Sequence, residues 1–134
     1  MENGQMTTDE VIVWLHYVRD ITHAINEIER KYRRAQLKAH NVKHRSTLTG
    51  YGTVIEVLEK ERKQATLERQ GLISRIEDVT YRKLLTSRYI LCKSWRDVAE
   101  DISYDYDYTY STLHRRAIAA AAECTNRYTA TPLI

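Results

Sequence analysis

An all-α fold is predicted by three features of this 134-residue chain. It has one proline and four glycines, its apolar residues recur at alternating three- and four-residue intervals, and helix-capping residues open the patterned runs. A β-rich or loop-rich fold needs many more turn residues than this. No apolar run approaches the roughly 18 residues needed to cross a bilayer. The opening Met1-Glu2-Asn3-Gly4 lacks the positive and apolar regions of a secretory signal. Cys92 and Cys124 make no CxxC pair and have no close histidine, so they read as reduced thiols in a cytoplasmic protein with no structural zinc.

The first helix is predicted over residues 9–39, with Thr8 as N-cap and Asp9 and Glu10 in the dipole-favoured first turn. Its apolar positions are Val11, Trp14, Val18, Ile21, Ile25, Ile28, Tyr32, Ala35 and Ala39, the narrow stripe of a coiled coil. At 1.5 Å per residue such a helix is about 45 Å long, more than a compact domain of this size spans. It should therefore protrude, and an exposed Val/Trp/Ile stripe needs a partner. Val11, Trp14, Val18, Ile21, Ile25 and Ile28 are the expected seam, closed by another helix of the chain or by a second copy in a homodimer.

Residues 40–53 break the pattern, and Gly50 and Gly52 around Tyr51 predict a turn. A phosphate loop is excluded there because no strand precedes and no Lys-Ser/Thr follows. His40 and His44 have helical metal spacing but no third ligand. A second helix from near Thr53 carries Ile55, Leu58, Ala65, Leu72, Ile76 and Val79 on one stripe, interrupted by Arg62 and Arg69, with Gly71 as a kink or joint. The two helices make a coiled-coil-like hairpin arm over residues 8–73.

Three shorter helices are predicted over residues 74–122, followed by a flexible tail at 123–134. The first runs from Ile76 to Ile90, with Ile76, Val79, Leu84, Leu85 and Tyr89 as its apolar set, and Leu91-Cys92-Lys93 connects it to the next. Ser94-Trp95-Arg96-Asp97 is a capping box opening a helix from Trp95 to Ile102 that buries Trp95, Val98, Ala99 and Ile102. Ser103-Tyr104 is a tight turn, and Asp105 caps a third helix with Tyr106, Tyr110, Leu113, Ala117 and Ala120 inward. A short helix, a tight turn and a longer helix form the helix-turn-helix plan, with Ala99 small enough for close crossing. In that plan the outer side chains of the third helix, Asp107, Tyr108, Thr109, Ser111, Thr112, Arg115 and Arg116, face double-stranded DNA. Lys93, Ser94 and Arg96 are placed to grip backbone phosphate.

Residues Tyr81 to Ala99, with Arg88-Tyr89-Ile90, Ser94-Trp95 and Ala99 at their spacing, and Leu113-His-Arg-Arg-Ala-Ile118 resemble the sigma-70 region 4 helix-turn-helix. The nearest likeness is to the small phage- and prophage-encoded regulators of Gram-positive bacteria, the ArpU and RinA type of late-gene activator. The resemblance covers residues 74–122 and implies promoter binding in a bacterial host cell and contact with RNA polymerase. Ser103, Asp105 and one extra residue before Leu113 depart from that family's pattern.

Charge is segregated: residues 30–45 hold seven Lys and Arg and no acid, whereas Asp97, Glu100, Asp101, Asp105 and Asp107 lie together without a base. Solvated faces or a phosphate-facing surface are both consistent with this. The scattered histidines (His16, His23, His40, His44, His114) form no nucleophile–base–acid set, so no enzyme, cofactor, metal site or small-molecule substrate is predicted. The alternative to a transcription regulator is a helical assembly or adaptor protein, such as a small terminase-like packaging subunit or a host-polymerase-binding protein.

Overall fold

The computed structural model describes residues 5–38 and 45–130, with side chains in the second stretch from 49 to 125. Helix α1 spans Thr8–Lys38 and α2 Arg45–Ile73. Helix α3, Val79–Leu85, continues through a π-helical turn, Thr86–Ile90. Helix α4 is Trp95–Ile102. The last helix, α5, covers residues 106–130 as an α-helical start, Tyr106–Tyr108, a π-helical turn, Thr109–Leu113, and a long α-helical stretch, His114–Ala130. The fold is all-α, and no described helix is long and apolar enough to cross a membrane.

The start of α1 is held by a reciprocal capping box one residue earlier than expected. Thr7 Oγ1 accepts from the Glu10 amide (3.1 Å) and Glu10 Oε1 from the Thr7 amide (2.8 Å), so Thr7 rather than Thr8 is the cap. Helices α1 and α2 run antiparallel: Trp14 meets Arg69, Tyr17 meets Glu61 and Tyr32 meets Tyr51. Val18, Ile21 and Ile25 close on Ala65, with Leu58 and Cys92 at the edge. Val11 and Leu15 instead join a larger core with Leu72, Ile73, Leu84, Leu85, Tyr89, Val98, Ile102, Leu113 and Ile118. At roughly 1.5–3 kcal/mol for each large aliphatic side chain buried, this shared core ties the arm's base to the C-terminal helices.

Several expectations are corrected. Val11, Val18, Ile21 and Ile25 are buried within the chain, against α2 and the C-terminal helices, while Ile28 is half-buried. Leu15, not Trp14, lies at the centre of that stripe; Trp14 sits at the margin with the Arg69 guanidinium 4.1 Å from its ring. Gly50 and Gly52 lie within α2, not in a turn, and Ala39, His40 and His44 lie outside the described residues.

Residues 74–78 are not helical. Asp78 caps α3 by accepting from the Tyr81 amide (3.0 Å), Arg82 donates to the carbonyls of Ile76 and Glu77, and Val79 is exposed. Nor does a tail begin at 123. Helix α5 runs on to Ala130, Cys124 and Thr125 are buried, and Thr125 Oγ1 accepts from the Met6 amide (3.0 Å).

An aromatic junction joins four elements. Tyr89 of α3 packs edge-on against His16 of α1, and its hydroxyl meets His114 Nε2 of α5 at 2.7 Å. Trp95 of α4 lies edge-on to the same His114 ring, with centroids 4.6 Å apart. Burial pushes the Tyr89 phenol up to about 12. Burial, with lesser contributions from Arg88 and His16, brings His114 down to about 4.

Candidate nucleic-acid interface

Helix α4 begins where the sequence says it should: Ser94 is extended and its hydroxyl accepts from the Asp97 amide (3.2 Å). Val98, Ala99 and Ile102 are buried and Trp95 is half-buried. The helix ends on Ser103 in the left-handed conformation (φ 63°). The Ser103 amide donates to the Glu100 carbonyl (3.2 Å) and the Tyr104 amide to that of Ala99 (3.1 Å), which satisfies carbonyls the helix end would leave open. Asp105 then caps α5, its Oδ2 accepting from the Tyr108 amide (3.2 Å).

Beyond that cap the register differs from expectation. Thr109 is fully buried, whereas Tyr106 and Tyr110 are about half exposed (48% and 52%). The π-helical turn is the cause. Its i→i+5 bonding puts more residues in one turn and brings Thr109 onto the same face as Leu113 and Ala117. Thr109 is therefore withdrawn from any outer surface, and its hydroxyl has no hydrogen-bond partner.

The other outward positions of α5 form one open flank. Asp107, Tyr108, Ser111, Arg115 and Arg116 are exposed and Thr112 is half-exposed; no part of the described arm covers them. Ser111 Oγ donates to the Asp107 carbonyl (2.6 Å) and Arg116 Nη1 approaches the Tyr108 hydroxyl (3.4 Å). Next to this flank stands a tyrosine array that the sequence placed only in part. Tyr104 packs on Tyr108, Tyr106 is nearly parallel to Tyr110 (14° between rings), and Tyr110 meets Trp95 edge-on.

On the α4 side, Ser94 and Arg96 are exposed. Lys93 is engaged within the chain: its ammonium contacts Asp101 Oδ2 (2.8 Å), which also accepts from Ser87 Oγ (2.9 Å). The Lys93 hydrogen bond, then that from Ser87, holds the Asp101 carboxyl below its ordinary range. Sequence reasoning missed Arg88 and Arg19 as members of this surface. Arg88 Nη1 donates to the Lys93 carbonyl (2.9 Å), and its guanidinium lies 4.7 Å from the Trp95 ring. Arg88 belonged to the stretch that carries the resemblance, a usable signal. Arg19 is far away in sequence and had none.

Among the described residues no group of three or more His, Cys, Asp or Glu side chains is placed to hold a metal ion. Comparisons with protein families, with characterised proteins and with solved structures give no match.

Proposed function

We propose that this chain is a sequence-specific DNA-binding transcription regulator of the phage or prophage type, acting at promoters and contacting RNA polymerase. The observation that carries the reading is the uncovered flank of α5. Ser111, Thr112, Arg115 and Arg116 stand opposite the buried Leu113–Ala117–Ile118 face, on a helix that follows α4 after a turn of three residues. Hydroxyls and guanidiniums in that position suit base edges and phosphates in a major groove. Ser94 and Arg96 at the head of α4 suit the flanking backbone. The likeness to sigma-70 region 4 regulators over residues 74–122 supports the same reading.

Pull-down of genome fragments followed by sequencing tests it, with fluorescence anisotropy on the enriched fragment. Arg115→Ala and Thr112→Ala are each expected to weaken specific binding by about 1–3 kcal/mol. A folded protein that retains no fragment at low salt refutes the reading.

The tyrosine array favours a second reading, a helical assembly or adaptor protein. The Asp105 and Asp107 carboxylates repel phosphate, and the four exposed tyrosines beside them supply the rigid amphipathic area of protein interfaces. Light scattering that reports a large ring supports a packaging subunit. Polymerase capture without DNA binding supports a polymerase-binding protein.

A further inference from the structure

A cleft of about 580 Å³ opens between the arm and the head of α4, lined by Arg19, Arg88, Ser94, Trp95, Arg96 and Tyr106. Three of these six residues are arginines from three different helices, and none is acidic. Arg88 is fixed by the Lys93 carbonyl and the Trp95 ring. The Nε atoms of Arg19 and Arg88 are both buried without a hydrogen-bond partner. The two guanidiniums are near enough for Arg19 to disfavour the charge on Arg88, second only to burial.

Two like charges partly withdrawn from water, with donors unmet, are costly unless an anion joins them. Arginine forks match the oxygens of a phosphate group in charge and shape. The first amides of α4 also lack intrahelical acceptors, and the Ser94 cap takes only that of Asp97. The cleft thus offers convergent donors from side chains and backbone.

We propose that Arg19, Arg88 and Arg96, with the head of α4, bind one phosphodiester of a DNA backbone, so that the arm takes part directly in DNA binding. This rests on the DNA-binding reading above, and it adds a contact from a helix outside the region resembling sigma-70 region 4. A phosphate group seated there bridges α1 to α4 and fixes the angle between arm and reader.

The test measures affinity of the full chain for a short duplex across a salt series, for the wild type, Arg19→Gln and Arg115→Ala. Circular dichroism and thermal melting check each fold. Arg19 lies outside both hydrophobic clusters, so Arg19→Gln should fold normally. The slope of log affinity against log salt is expected to fall by about 0.9 in Arg19→Gln, the loss of one phosphate contact. Wild-type binding with an unchanged slope in Arg19→Gln overturns the proposal and leaves the DNA-binding reading standing.

A parallel NMR titration uses inorganic phosphate, with chloride as control. Shifts at the Trp95 and Arg96 amides in the wild type but not in Arg19→Gln support the phosphate site. If the duplex does not bind while these shifts appear, the site takes a free phosphate group and the DNA assignment falls. Absence of both responses overturns the site and the DNA-binding reading together.

Discussion

His114 makes the stability of this fold depend on pH in a way that can be worked from its surroundings. Its ring sits among Tyr89, Trp95 and the Arg88 side of the core, and Nε2 accepts most simply from the Tyr89 hydroxyl as a neutral imidazole. Burial brings its pKa from the ordinary 6.5 down to about 4. At about 1.4 kcal/mol per pH unit this sets a ceiling of about 3 kcal/mol on its linkage to folding. The ring keeps some solvent contact, and discounting for screening leaves about 2 kcal/mol.

The sign follows from the depressed value. The unfolded chain binds the proton first, so the stabilisation is complete above 6.5 and is lost as pH falls from 6.5 towards 4. His16, lowered chiefly by burial and then by Arg19, acts in the same direction. Urea unfolding of the wild type and His114→Gln across that window isolates the contribution, since Gln can still pair with Tyr89 but does not titrate. The wild type should lose about 2 kcal/mol more than the variant on acidification. Superimposable pH profiles, or a His114 NMR titration at or above 6.5, would refute the reasoning.

Three further outcomes are expected. Gly50→Ala and Gly52→Ala should each stabilise the protein by about 0.5–1 kcal/mol in thermal melts, because both lie within α2 and an added Cβ meets nothing within 4 Å; a fall in melting temperature would contradict the helix there. Thr109→Val should stabilise by about 1 kcal/mol in urea titrations by removing a buried hydroxyl without a partner, and destabilisation would mean that the hydroxyl is bonded. Arg69→Met should cost about 2–3 kcal/mol, because Nε and Nη2 both donate to the Trp14 carbonyl (3.1 Å each) under the Trp14 ring. The exposed Glu68→Gln should cost under about 1 kcal/mol, and equal losses from the two would place the energy in the ion pair instead.

Much of this architecture is legible in the residues because its signals are local. The cap at Ser94, the cap at Asp105, the turn at Ser103 and the length of α1 each depend on a few neighbours in sequence. The same holds for the flank of Ser111, Thr112, Arg115 and Arg116, which polar character marks as outward. The candidate site was legible only to that extent.

The remaining features depend on what packs against what. Leu15 rather than Trp14 faces the core because α2 and α5 meet α1 on that side, and Gly50 and Gly52 are carried into a helix despite an intrinsic preference against it. Thr109 turns inward because a π turn shifts the register, a change of hydrogen bonding that no spacing rule registers. The convergence of Arg19 with Arg88 and Arg96 joins groups about seventy positions apart along the chain. Periodicity and capping are properties of a segment, whereas burial, register and charge clustering arise only once segments are brought together.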